Sequence, residues 1–167
     1  MVVGMSAIRV IAATQIGVPV PMLAVAIQWW SQNARLHVRH TCVAAGLSLL
    51  VGLGFNQVIL RFVHHVRPYE AGISHLFINP SSDWSFPSDH ATATVAIATA
   101  FLLHRLNRRG LVLLAGVALV CVSRIYVGTH YVSDVLGEAL TGGLAAAAVR
   151  LIYWEGTRTD RFITRIL

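Results

Sequence analysis

Long runs of apolar residues, separated by short polar stretches, dominate the chain. Each run is close to the roughly 20 residues that an α-helix needs to cross a bilayer. There are five of them, at about residues 10–30, 41–63, 88–104, 111–127 and 132–154. The pattern therefore predicts an all-α fold, in which residues 1–167 form a single membrane-embedded domain. We expect an integral membrane helical bundle of about five transmembrane helices.

The first run is interpreted as a retained helix and not as a signal peptide. It is long for the apolar region of a signal peptide, and it ends in Trp29-Trp30, which suits a membrane interface. Pro19 and Pro21 are expected to kink this helix.

The composition supports a membrane location. Hydrophobic residues make up 56% of the 167 residues and charged residues 12%, which is about half the charged fraction of a soluble domain. The net charge of +6 is not gathered on one basic face with interleaved aromatic residues, so no nucleic-acid partner is expected. All 13 basic residues are arginine, so any role usually filled by lysine must be filled in another way.

The arginines between the apolar runs indicate the orientation of the helices. Two loops and the C-terminal tail share eight of them: Arg35, Arg39, Arg105, Arg108, Arg109, Arg158, Arg161 and Arg165. The positive-inside rule makes their side cytoplasmic, and His37, His40 and His104 on that side are expected to be solvated loop residues. Arg61, Arg67 and Arg124 lie at outward helix ends, against this bias, which indicates an anion site on the outer face.

Three polar stretches fall on the predicted outer face. They are Arg67-Pro68, Pro87-Ser88-Asp89-His90, and Ser123-Arg124 with His130 and Asp134. Ser88 and Asp89 are residue types favoured at helix N-caps, and the free amides of a helix N-terminus form a ready cradle for phosphate. Arg67 and Arg124 can each make two parallel hydrogen bonds to phosphate oxygens.

Two histidines and an aspartate add the chemistry of phosphoryl transfer. His130 and Asp134 are four residues apart and share one face if the fifth helix begins near His130. The carboxylate is then expected to accept a hydrogen bond from one imidazole nitrogen, which leaves the other nitrogen as a nucleophile. His90, at the head of the neighbouring helix, is placed to protonate the leaving oxygen. The set predicts a two-step transfer through a phosphohistidine.

These stretches resemble the type 2 phosphatidic acid phosphatase superfamily, which also includes vanadium haloperoxidases. Its pattern is lysine, six residues, Arg-Pro; then Pro-Ser-Gly-His; then Ser-Arg, five residues, His, three residues, Asp. The third part matches here at every fixed position. The resemblance implies that His130 is the nucleophile, Asp134 its orienting partner and His90 the general acid, with no metal and no cofactor. It also implies four phosphate ligands: Arg67, Ser88, Asp89 and Arg124.

The sequence departs from that pattern at two positions. Leu60 stands where lysine is expected, and the neighbouring Arg61 is a candidate to contact phosphate in its place. Asp89 replaces the glycine, and three roles are open for it. Its side chain would turn outward while its N–H binds phosphate, or accept a proton from a diphosphate, or hold a bound cation.

The implied function is hydrolysis of a phosphate from a membrane lipid. The short chain and the Pro-Ser-Asp-His stretch resemble bacterial polyprenyl-diphosphate phosphatases. A polyprenyl diphosphate is therefore favoured over phosphatidic acid or phosphatidylglycerol phosphate, with the site on the extracytoplasmic face of a bacterial cell membrane. Two rivals remain: a non-catalytic lipid-phosphate binding or transport protein on the same scaffold, and a vanadium haloperoxidase, which the missing lysine and the membrane spans disfavour. The sequence leaves the oligomeric state open.

Overall fold

The computed structural model describes residues 19–30, 36–75 and 84–166. Every regular element within these ranges is a helix, as predicted. The predicted first run is described only from Pro19 onward, and its earlier part lies outside the described residues. In chain order the helices are α1 (Pro19–Trp30), α2 (Leu36–Ile59), α3 (Asp89–Leu103), α4 (Asn107–Tyr126), α5 (Val132–Ile152) and α6 (Arg158–Ile166).

Three helices are long and apolar enough to cross a membrane by length and composition, namely α2, α4 and α5. Helix α3 is apolar but has 15 residues, and at about 1.5 Å per residue it is shorter than the roughly 30 Å hydrocarbon core of a bilayer. Helix α1 is described over 12 residues. The expected number of five transmembrane helices therefore stays a prediction.

Helix α3 is the centre of the bundle. It packs against α2, α4 and α5, and α2 also packs directly against α5. Its buried positions are mostly alanine and threonine, and such small side chains let neighbouring membrane helices approach closely. The hydroxyls of Thr92 and Thr94 are satisfied within the bundle, because Thr94 donates to the carbonyl oxygen of His90 at 2.9 Å and Thr92 to Oδ1 of Asn56 at 3.3 Å.

The large apolar side chains lie on the outside. Leu50 on α2, Leu119 on α4 and Leu140 on α5 are each more than half exposed. Extended apolar surfaces of this kind mark contact with a membrane or another protein. Small residues inside and large apolar residues outside are the distribution expected when lipid is the solvent.

Contacts between helix termini define one end of the bundle, which we call the site end. Asn56, near the end of α2, donates to Asp89 at the start of α3 at 2.8 Å. The amide of Ser88, just before α3, donates to Glu138 on α5 at 2.8 Å. The three predicted polar stretches belong to this end, because each lies at or beside one of these helix termini.

The opposite end, which we call the far end, corrects two predictions. Helix α2 begins at Leu36 and not near residue 41, so His37 and His40 belong to a helix and not to a loop. His40 and His104 are buried and not solvated. The C-terminal tail, for which no element was predicted, contains α6. Nδ1 of His40 donates to Oδ1 of Asp160 at 2.8 Å, across 120 positions of sequence. This pairing lets a polar residue enter the bundle, and a partner so distant along the chain gives no local signal.

Two adjacent glycines test the close packing of α3 on α5. A Cβ atom at Gly142 would lie 2.7 Å from the carbonyl oxygen of Thr92, whereas a Cβ at Gly143 would meet nothing within 4 Å. We expect Gly142→Ala to destabilise the protein by about 1–3 kcal/mol, because the obstructing atom belongs to the backbone. Gly143→Ala should keep or slightly raise stability, since alanine favours helices. Thermal unfolding in detergent measures both, and equal melting temperatures would contradict the close contact.

Candidate active site

The candidate nucleophile lies in a tight turn between α4 and α5. Gly128 in this turn has a φ of 81°, a left-handed conformation that glycine adopts without steric cost. A Cβ there would also lie 2.8 Å from the carbonyl oxygen of His75. The turn places His130 two residues before α5, and its side chain is buried.

The backbone of a distant segment fixes the tautomer of His130. Nδ1 of His130 donates a hydrogen bond to the carbonyl oxygen of Ser85 at 2.6 Å. A carbonyl can only accept, so Nδ1 carries the proton and Nε2 of the neutral ring keeps its lone pair. The direct hydrogen bond predicted between His130 and Asp134 is not formed, because Nδ1 and Oδ2 lie 4.0 Å apart and the proton is directed to Ser85.

Asp134 instead organises the loops around His130. Its Oδ1 accepts a hydrogen bond from Nδ1 of His65 at 2.9 Å, and its Oδ2 accepts the amide of Tyr131 at 3.0 Å. Oδ2 also accepts a short hydrogen bond from the hydroxyl of Ser85, the same residue whose carbonyl holds His130. The carboxylate therefore acts on the imidazole through Ser85.

Two guanidinium groups act on His130. Burial, followed by the positive charges of Arg124 and Arg67, lowers the pKa of His130 to about 4. Arg67 is buried, and its Nη1 donates to the carbonyl oxygen of Thr129 at 3.4 Å. Nε of Arg124 is buried and has no hydrogen-bond partner among the described residues. A neutral nucleophile close to two cations suits attack on an anionic phosphate.

His90 and Ser88 lie together at the start of α3. His90 is in the first turn, and Ser88 is the N-cap residue, although its hydroxyl does not cap the helix. The charge of Arg124 disfavours protonation of both His90 and His130, so both imidazoles lie within the electrostatic range of one guanidinium. The amide of Ser88 donates to Glu138 and is therefore already engaged.

Asp89 and Arg61 are less closely connected to this group. Oδ1 of Asp89 accepts the hydrogen bond from Asn56, so α2 holds this carboxylate. Arg61 is exposed just beyond α2, and within the described ranges no hydrogen bond or ion pair joins its side chain to another residue. Its substitution for the missing lysine stays a prediction.

Ser85 is the residue of the site that the sequence analysis did not identify. Its carbonyl and its hydroxyl contact His130 and Asp134, which lie 45 and 49 positions further along the chain. The only local signal is its place two residues before Pro87, in the segment that leads into α3. His65 and Glu138 contact the same group from positions outside the motifs.

Comparisons with known proteins give this group of residues a family context. Residues 39–158 match the sequence model of the PAP2 superfamily. A protein of Escherichia coli (strain K12) with the provisional name undecaprenyl-diphosphatase YbjG is 33% identical over 135 residues, which cover 80% of this chain and 66% of that protein. Undecaprenyl-diphosphatase BcrC of Bacillus subtilis (strain 168) is 39% identical over 106 residues, 64% of this chain and 52% of that protein. The chain thus spans about half to two thirds of the length of these relatives.

A solved structure has the same fold. The crystal structure of a transmembrane PAP2 type phosphatidylglycerolphosphate phosphatase from Bacillus subtilis matches with a TM-score of 0.64, over 93% of this chain and 80% of that chain. The sequences are 20% identical, so this likeness shows the fold alone. Together with the three apolar helices of spanning length, it confirms the predicted integral membrane bundle.

The lowered pKa of His130 predicts how stability responds to acid. The folded protein holds this imidazole neutral down to about pH 4, whereas an unfolded histidine binds a proton near pH 6.5, about the unperturbed value. As the pH falls, the unfolded state therefore binds more protons at this residue than the folded state does. This difference lowers the free energy of unfolding by about 2 kcal/mol between pH 7 and pH 5. Melting temperatures in detergent should fall more steeply for the wild type than for His130→Asn. A parallel decline would contradict the buried neutral ring.

Proposed function

The chain belongs to the PAP2 superfamily, and from this premise we propose that it removes a phosphate from a lipid held in the bilayer. The main support for this proposal is the environment of His130. Its imidazole is neutral, its Nε2 keeps a lone pair, and it lies near Arg67 and Arg124. Phosphoryl transfer depends mostly on positioning and on charge stabilisation. A fixed nucleophile near two cations offers both.

The reaction proceeds in two steps. Nε2 of His130 attacks phosphorus, and a P–N bond forms while the P–O bond to the leaving group breaks. His90 protonates the departing oxygen, and it later takes a proton from the water that cleaves the phosphohistidine. Arg67 and Arg124 bind the remaining phosphate oxygens, and the hydroxyl of Ser88 adds a donor.

A polyprenyl diphosphate is the favoured substrate. Two relatives carry the name undecaprenyl-diphosphatase, while a third, phosphatidylglycerophosphatase B of Bacillus subtilis (strain 168), is 34% identical over 106 residues. The site end lies at the termini of helices with apolar outer faces, a position at which a lipid head group would bind while its tail stays in the bilayer. Arginines Arg105, Arg158 and Arg161 belong to the far end, which supports an extracytoplasmic site by the positive-inside rule.

Non-catalytic binding or transport of a lipid phosphate is the second candidate. One observation favours it: Leu60 stands in place of the lysine of the motif, and the side chain of Arg61 makes no hydrogen bond or ion pair within the described ranges. The same arginines would then bind the head group without turnover. Release of inorganic phosphate distinguishes the two functions.

His130→Ala tests the enzyme directly. Purified wild-type protein should release phosphate from undecaprenyl diphosphate, and the variant should lose at least about 10³-fold in kcat, because removing a nucleophile leaves only residual binding effects. A panel with phosphatidic acid and phosphatidylglycerol phosphate ranks the substrates. His64→Ala, an exposed histidine that contacts Trp84, is the matched control and should stay active. Binding of the lipid without phosphate release would favour the second candidate.

The chain's own cations make activity independent of added metal. Arg67 and Arg124 supply the positive charge that a divalent ion supplies in many phosphoryl-transfer enzymes. We expect EDTA to leave kcat unchanged and vanadate to inhibit competitively, since vanadate imitates five-coordinate phosphorus. Loss of activity in EDTA that Mg²⁺ restores would contradict the mechanism.

A further inference from the structure

Glu138 is a buried carboxylate on α5, one helical turn beyond Asp134. It is among the largest fully buried side chains of the described residues, with 1% exposure. An ionisable group enclosed at this depth of a membrane protein is costly and marks a functional site by default. The two-step reaction described above does not use it.

Glu138 connects the two segments that carry the catalytic histidines. Its Oε1 accepts the amide of Ser88 at 2.8 Å, and Ser88 is the N-cap of α3, two residues before His90. The same oxygen lies 3.9 Å from Nδ1 of His130. One carboxylate oxygen therefore holds the start of α3 close to the ring of the nucleophile.

The Nδ1 side of the His130 ring faces two carboxylates. Oε1 of Glu138 and Oδ2 of Asp134 lie 3.9 and 4.0 Å from Nδ1, while the Nδ1 proton is donated to Ser85. When Nε2 bonds to phosphorus and Nδ1 stays protonated, the ring gains a positive charge. Nearby anions stabilise that charged ring more than the resting neutral ring, and such differential stabilisation lowers the barrier.

We propose that Glu138 is a positioning residue of the reaction, which holds the start of α3 beside His130 and stabilises the phosphohistidine by its negative charge. This inference rests on the proposed function, because the ring becomes charged only when His130 is phosphorylated. No further reagent is needed: the P–O electron pair goes to the leaving oxygen, which takes its proton from His90. Burial and the carboxylates of Asp134 and Asp89 disfavour a negative charge on Glu138 in the resting site, whereas the Ser88 amide and Arg124 favour it. The positive ring of the phosphohistidine, with its Nδ1 3.9 Å away, adds to the groups that favour the ionised carboxylate.

Glu138→Gln separates the charge from the hydrogen bond. Glutamine keeps an oxygen that accepts the Ser88 amide but carries no charge. We expect kcat on undecaprenyl diphosphate to fall about 10²-fold, as when one electrostatic stabiliser of a transition state is removed. KM should stay within about threefold, because the ring is neutral when substrate binds. In rapid-quench experiments the phosphohistidine should form more slowly than in the wild type.

Glu138→Ala removes the acceptor as well as the charge. We expect a further fall in kcat, a higher KM and a lower melting temperature, since the Ser88 amide loses its buried partner. The glutamine variant should keep the wild-type KM and melting temperature. A loss of kcat in the glutamine variant while KM and melting temperature are kept is a result that a purely structural role would not produce.

Glu155→Gln is the matched control. Its Oε2 also accepts a histidine hydrogen bond, from His37 at 2.8 Å, but it lies at the far end, so kcat and KM should not change. If Glu138→Gln turns over like the wild type while His130→Ala is inactive, the role of Glu138 is overturned and the proposed function stands. The role is also overturned if Glu138→Gln changes kcat, KM and melting temperature as much as Glu138→Ala does. A wild-type protein that releases no phosphate overturns both proposals.

Discussion

The hydrogen bond from His130 to the carbonyl oxygen of Ser85 is the contact on which the rest of the site depends. It joins the turn before α5 to the segment before α3, and it decides which imidazole nitrogen keeps a lone pair. The hydroxyl of the same serine connects the pair to Asp134. Because the acceptor is a backbone atom, the geometry is set by the path of the chain and not by one side chain.

The sequence predicted the helices and the chemical groups of the site, but not how these groups are connected. Apolar runs follow directly from the length that a bilayer imposes, and Arg67, Arg124 and His130 stand at fixed motif spacings. The spacing of His130 and Asp134 suggested a direct hydrogen bond, whereas the structure places Ser85 between them. Spacing along a helix shows which side chains share a face, but it cannot show an acceptor supplied by another segment.

At the far end, too, partners that are distant in sequence changed the outcome: here they bury residues that were expected to be exposed. His40 and His104 looked like solvated loop residues, because polar residues beside arginines are typical of loops outside a membrane. Their burial is stabilised by Asp160, by the ring of Tyr153 stacked on His40, and by the carbonyl oxygen of Ala100, which accepts from His104. Residue type predicts exposure only when no partner is near, and α6 brings the partner from the C-terminal tail.

The bundle tolerates buried charge because its centre is built from small residues. Alanine and threonine on α3 and Gly142 on α5 bring the helices so close that polar groups from different helices can contact each other. Two carboxylates and two guanidinium groups then act on one neutral imidazole, with opposite charges that offset part of the cost of burial. In the proposed reaction, a phosphate adds negative charge near the arginines, and phosphorylation of His130 makes the ring positive beside the carboxylates. Under that proposal the resting arrangement is more complementary to the intermediate than to the empty site, as catalysis requires.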